Sequence, residues 1–337
     1  MDTIVTLGDS IAWGQGLLED EKYSSRVTAY LRGATPRDFE QRIAAHSGAV
    51  IGIGNSSAAT LLNSEVPVDG PTILQQVRMF QADKQAADAV VLVLLNGGIN
   101  DLGVNNLLNP LFDPNEIRRR TAQYCFEDMK TVLRECLQTF ANARIVITGY
   151  YQLLSADSDA LLLPAVVGAF GLLLSGVPGA LFGGVATVIT RKIISDNCRL
   201  FASTANDSFA RAADTINKEL AFHSDARAIG VAVPAFGPTN AALASESYSW
   251  GLRFTGDPTE LFVPIDSVIN ERVGACHLAF DSGQIPDYAR CKIASAGHPN
   301  PQGAAIYSAA IRGVLNQWLD VGWLGPFDRL EWMTLLL

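Results

Sequence analysis

Apolar runs of strand length alternate with helical stripes along most of the chain, and that alternation restricts the fold more than any other feature. The runs Ile4–Leu7, Arg42–Ala45, Ala89–Leu95, Arg144–Thr148 and Ile229–Val233 predict five strands. The third and fourth are rich in Val, Ile and Leu, the pattern of a parallel strand covered on both faces. Between them Ile117, Tyr124, Met129, Val132, Leu133 and Leu137 mark a helix over Asn115–Phe140, opened by Asp113-Pro114. Further helices are expected at Ile194–Phe222 and Pro301–Trp318. The order argues for a doubly wound α/β fold, three layers α/β/α around a five-stranded, mostly parallel sheet. No repeat and no Pro/Ser-rich linker interrupts the 337 residues. A single domain over 1–337 is therefore expected, with an apolar helical insertion after the fourth strand (156–193) and a loop insertion at 237–297.

Composition removes several classes of function. Hydrophobic residues make up 48% and charged residues 18%, against about 25% charged in ordinary soluble chains, so a disordered chain is excluded. With 25 basic and 34 acidic residues the net charge is −9, and no basic run offers the phosphate neutralisation that nucleic-acid binding needs. The five cysteines are Cys125, Cys136, Cys198, Cys276 and Cys291. Cys276 and Cys291 bracket a short polar loop and would pair in an oxidising compartment; idle or buried thiols are the plainer reading. Met1-Asp2 leads straight into an apolar strand, with no secretory n-region or h-region. That pattern predicts a cytoplasmic protein, or a secreted one if the chain is a processed form.

Three short blocks carry chemistry. Gly8-Asp9-Ser10 follows the first strand, and Gly98-Ile99-Asn100-Asp101 follows the third. Ligands of open α/β sheets bind at the carboxyl ends of strands. A serine opening a helix there has an exposed hydroxyl and an uncommitted backbone N–H. Gly48, after the second strand, offers an N–H with no side chain in the way, and the Asn100 amide offers two donors. Gly297-His298-Pro299-Asn300 precedes the last helix, where Pro299 and Pro301 fix the approach of the imidazole. His46, His223 and His277 have no such context and read as packed or surface residues.

Together these blocks, with Gly14, resemble the SGNH hydrolase superfamily (GDSL esterases and lipases), in family order and across nearly the whole chain. The resemblance implies an SGNH, flavodoxin-like fold. It implies Ser10 as nucleophile and His298 as general base, because a serine hydroxyl attacks an ester only when a neighbour takes its proton. The N–H groups of Ser10 and Gly48 and the side chain of Asn100 would form the oxyanion hole. No Gly-x-Ser-x-Gly elbow, His-Glu-x-x-His site, P-loop or Rossmann fingerprint is present, so no cofactor and no metal is implied.

One position departs from the family. The triad acid stands three residues before the histidine, and here that residue is Ser295. Either the main-chain carbonyl of Ser295 holds Nδ1, an arrangement seen in some family members, or Asp281 or Asp287 swings in. The charge-free run Ala160–Thr190 is a second departure. It is 31 residues long and broken by Pro164, Pro178 and six glycines. A single membrane pass would separate Ser10 from His298, and two passes need about 40 apolar residues. The run is expected to be a core hairpin, an apolar flap over the site, or an element contacting a membrane surface. The expected activity is a serine carboxylic-ester hydrolase working through an acyl-enzyme on lipophilic or simple acyl esters, its partner an acyl-ester or lipid substrate. A lysophospholipase, thioesterase or acyltransferase would use the same site. A non-catalytic lipid- or partner-binding module on a decayed hydrolase fold is the alternative from another class.

Overall fold

The structure is a computed structural model, and it describes residues 1–54, 62–159, 187–254 and 262–324. Five parallel strands form one sheet: β1 (Asp2–Leu7), β2 (Phe39–Ile43), β3 (Val90–Leu95), β4 (Arg144–Thr148) and β5 (Ile229–Ala232). Their order is β2-β1-β3-β4-β5. The register sets Thr6 beside Ile43, Leu7 beside Leu95, Leu95 beside Ile147 and Thr148 beside Ala232. Ile4, Val5, Leu7, Leu92 to Leu95 and Ile145 to Ile147 are fully buried. Continuous apolar strands of this kind need helices on both faces, and helices supply them. Tyr23–Ala34 packs with Pro301–Asp320, while Pro114–Ala122 and Met129–Thr139 pack with Thr187–Phe222, and Met129–Thr139 also with Ile73–Arg78. The expected three-layer α/β/α architecture is present.

Three local readings change. The second strand is Phe39–Ile43 rather than Arg42–Ala45. Phe39 is fully buried and starts the ladder, whereas the N–H groups of Ala44 and Ala45 converge on one acceptor, Thr6 O, where pairing frays. The helix expected over Asn115–Phe140 carries a π-helical turn at Gln123–Asp128, which seats Cys125 against Gly97 and Gly98. The loop insertion 237–297 is largely structured, with an antiparallel hairpin of β6 (Leu252–Phe254) and β7 (Phe262–Pro264) and helices Ile269–Asp281 and Tyr288–Lys292. Residues 187–193 of the apolar insertion begin the helix Thr187–Phe222. The remainder of Ala160–Thr190, residues 160–186, lies outside the described residues. Among the described residues no helix is long and apolar enough to cross a membrane.

The cysteines also correct a reading. Cys276 and Cys291 form a disulfide joining Ile269–Asp281 to Tyr288–Lys292, inside a small apolar cluster with Val66, Ala279 and Ile285. Two buried thiols brought together by consecutive helices leave no room for the idle-thiol reading at this pair. Cys125, Cys136 and Cys198 are buried and free, as expected of thiols in a core.

Candidate active site

The chain reverses its direction of winding between β1 and β3, and the carboxyl ends of β2, β1 and β3 open onto that switch point. Ser10 is the first residue of a one-turn helix, Ser10–Trp13, whose cap is Asp9: its Oδ1 accepts from the Ile11 N–H at 2.9 Å. The other Asp9 oxygen accepts from the Tyr150 hydroxyl at 2.8 Å, and that hydroxyl accepts from the Ile99 N–H at 3.2 Å. Tyr150 thus ties the Ser10 turn to the Asn100 turn. Burial pushes the Asp9 carboxyl up to about 6, against the stabilising bond from Tyr150.

Gly48 follows Ser47, which makes two cross-links: its N–H donates to Ser64 O at 3.1 Å and its carbonyl accepts from Val68 N–H at 3.0 Å. The φ of Gly48 is +83°, and a Cβ there would stand 2.6 Å from the backbone N and O of Val68, so the position demands glycine. Asn100 donates from Nδ2 to Ala49 O at 3.0 Å, which spends one amide hydrogen and leaves one. Asp101 accepts the Ile51 N–H with both oxygens at 3.1 Å, fastening the Gly48 loop to the Asn100 turn. Burial pushes Asp101 up to about 7. Among the described residues, no acceptor meets the backbone N–H of Ser10 or of Gly48.

His298 arrives from the far end of the chain. Trp250 N–H donates to His298 O at 2.7 Å, Gly297 N–H to Trp250 O at 2.9 Å and Asn300 N–H to Tyr248 O at 2.9 Å. Asn300 caps the helix Pro301–Asp320 and also donates to Ser247 O at 3.1 Å. The ring points Nε2 at Ser10 Oγ, 2.7 Å away. Burial lowers its pKa to about 4, opposed by the nearby carbonyl of Ser295 and reinforced by the positive charge of Arg272. The imidazole is accordingly neutral at pH 7, the form that can accept a proton.

Nδ1 is not held as expected. The carbonyls of Ser295, Ala296 and Ala294 lie near enough to favour a charged ring, yet none makes a hydrogen bond to Nδ1. Ser295 O accepts instead from the His298 backbone N–H at 2.9 Å. The two candidate carboxylates are engaged elsewhere: Asp281 pairs with His277 on an exposed helix face, and Asp287 caps the helix Tyr288–Lys292. Neither lines the cavity that holds Ser10 and His298. Missing from the sequence reading is Asp266, which accepts from Ser295 Oγ at 2.7 Å. The Asp266 side chain is fully buried and ion-paired to Arg272, itself 0% exposed. Asp266 is the one charge in the apolar run Leu261–Ile269, and that context is the signal that could have flagged it, since a carboxylate is seldom buried unless paired.

Ser10, Gly48, Asn100 and His298 line one cavity of about 220 Å³. Its walls include Ile99, Val104, Leu108, Leu153, Leu243 and Trp250, with Arg290 and Asp69 as the charged lining residues. His46 is buried between the carbonyls of Ser47 and Leu62 and does not line this cavity. Among the described residues no cluster of His, Cys, Asp or Glu could hold a metal.

No family model and no curated protein matches the sequence. Solved structures do. An extracellular lipase from Streptomyces rimosus is 13% identical, with 93% of this chain and 99% of that one aligned and a TM-score of 0.48. A phospholipase A1 from Streptomyces albidoflavus NA297 is 15% identical over 93% and 98%, with a TM-score of 0.45. A carbohydrate acetylesterase from Sinorhizobium meliloti is 10% identical over 94% and 100%, with a TM-score of 0.41.

Proposed function

We propose that the chain is a serine carboxylic-ester hydrolase of the SGNH type. Ser10 Oγ attacks the acyl carbonyl while His298 Nε2 takes the hydroxyl proton, and the carbonyl π pair moves onto oxygen. That oxyanion is received by the N–H groups of Ser10 and Gly48 and by the remaining amide hydrogen of Asn100. Collapse breaks the ester C–O bond, and His298 returns its proton to the departing alkoxide. Water, deprotonated by the same nitrogen, then hydrolyses the acyl-enzyme and frees Ser10. The observation that carries the reading is the 2.7 Å contact between Ser10 Oγ and His298 Nε2 inside a cavity shared with Gly48 and Asn100. A decayed binding module has no need of a hydroxyl aligned on a neutral imidazole.

The apolar walls favour an acyl chain over a bare acetate, which points to lipophilic esters. The Cys276–Cys291 bond fits an oxidising compartment better than the reducing cytoplasm. The test is hydrolysis of p-nitrophenyl esters of increasing chain length by the wild type and by Ser10→Ala. We expect an initial burst that rises with chain length beyond acetate in the wild type and none in the variant. No release from either protein would overturn the enzyme, and a maximum at acetate would overturn the preference for longer chains.

A further inference from the structure

Arg272, from the helix Ile269–Asp281, is the largest fully buried side chain among the described residues. Its Nη2 pairs with Asp266 Oδ2, and its Nη1 reaches Asp266 Oδ1 at 3.2 Å and Glu65 Oε2 at 3.0 Å. Nε donates to Lys292 O at 3.1 Å. Glu65 in turn accepts from Trp13 Nε1 at 2.7 Å, from Gln15 Nε2 at 2.9 Å and from the Gly16 N–H at 3.3 Å. Trp13, Gln15 and Gly16 continue the Ser10 turn, and Ser64, next to Glu65, braces the Gly48 loop through Ser47. Asp266 takes the hydroxyl of Ser295, in the position where the family keeps its acid. Ser267 N–H to Gly16 O at 3.0 Å closes the ring of contacts, and a Cβ on Gly16 would stand 2.9 Å from that of Ser295. One guanidinium therefore joins the nucleophile turn, the Gly48 loop and the His298 loop.

Burying three charges is a poor way to gain stability, since well-packed apolar residues of the same volume commonly do as well or better. Such a cluster earns its place by fixing a geometry. Two carboxylates face that one guanidinium behind Ser295. A triad carboxylate orients the imidazole and offsets the charge it acquires; here no carboxylate touches Nδ1.

We infer, on the premise that Ser10 and His298 are the nucleophile and base, that Asp266, held by Arg272 and Glu65, is a positioning residue that acts on His298 through Ser295. It takes the place of the missing triad acid at one remove: its hydrogen bond fixes the Ser295 main chain, which accepts the His298 N–H, and its charge offsets that of Arg272, which otherwise disfavours the imidazolium formed in the transition state.

The test compares wild type, Asp266→Asn, Ser295→Ala and the double variant. Each is measured for kcat and KM on a chromogenic ester, for melting temperature, and for the titration of the His298 ring by NMR with labelled histidine. Residues within one hydrogen-bond network couple, so kcat is expected to fall about tenfold in Asp266→Asn, with KM within about twofold. The double variant should be no slower than the slower single variant, because both cut the same link. The His298 ring should titrate at lower pH in Asp266→Asn, having lost a nearby anion. Ser295→Ala keeps every buried charge and serves as the folded probe should Asp266→Asn melt early. Unchanged kcat with an unchanged ring titration, whatever the melting temperature does, would overturn the inference; so would multiplied losses in the double variant. The ring titration requires no turnover, so an inactive wild type would sink the hydrolase reading while the Asp266–His298 coupling was still decided.

Discussion

Ser10, Gly48 and Asn100 each stand within five residues of the end of a parallel strand, whereas His298 stands far beyond the last strand of that sheet. The first three are placed by the sheet itself: short turns leave β1, β2 and β3 side by side, and Tyr150 and Asp101 pin those turns to one another. His298 is placed by a layer outside the sheet, built from the 248–250 segment, the disulfide and the buried ions around Arg272. The difference teaches that the proposed donor side of the site is a product of topology and the proposed base side a product of specific non-local bonds. Changes on the two sides should fail in different ways.

The largest effect that sharpens this contrast is expected at Asn100→Ala. It removes one of the proposed oxyanion donors from a turn the sheet still holds, so kcat should fall about 10²–10³-fold, some 3–4 kcal/mol of transition-state stabilisation. Melting temperature should change little, which calorimetry beside steady-state kinetics will check. An equal loss of stability and activity would erase the distinction. On the other side, paired Cys276→Ser and Cys291→Ser changes open a cross-link with a sequence separation of 15 residues. Closing a loop of about that length is worth roughly 3 kcal/mol in the chain-entropy account. Denaturant unfolding should show that loss, with kcat falling further than it does for a surface change of similar cost, since the bridged helices adjoin the His298 loop.

How much of this could be read in advance follows the same division. β1, β3 and β4 declare themselves because strands covered on both faces must be continuously apolar, and Ser10, Asn100 and Gly48 stand at their ends or next to one. β2 starts three residues and ends two residues before the expected run, because Ala44-Ala45 is more apolar than the edge strand Phe39–Ile43 it follows. Glu65 carried no signal, lying 207 residues before its partner Arg272; Asp266 stands only six residues before Arg272, but a charge is legible as buried only once its partner is known. The π-helical turn at Gln123–Asp128 was equally silent, since its extra residue does not disturb the apolar stripe enough to register.

The smallest expected effect is the pH profile. Burial lowers His298 to about 4, so the neutral base persists well below pH 6.5 and kcat/KM should stay level to about pH 5 before falling near 4. A stability contribution of the same origin is complete above pH 6.5 and is lost as pH drops toward 4, because the unfolded chain binds that proton more readily. Asp9 and Asp101, raised by burial, work in the opposite sense, their contribution waning as pH rises through about 6 and 7. An acid limb near 6.5 in the rate profile would mean the imidazole is solvated and the base side looser than described.

The central claim is tested most directly by covalent labelling with a fluorophosphonate ester, followed by mass spectrometry of the digested protein. The account predicts a single phosphonyl adduct on Ser10 in the wild type and almost none in His298→Ala over the same interval. An unlabelled Ser10 in the folded wild type, or equal labelling with and without the imidazole, would contradict it.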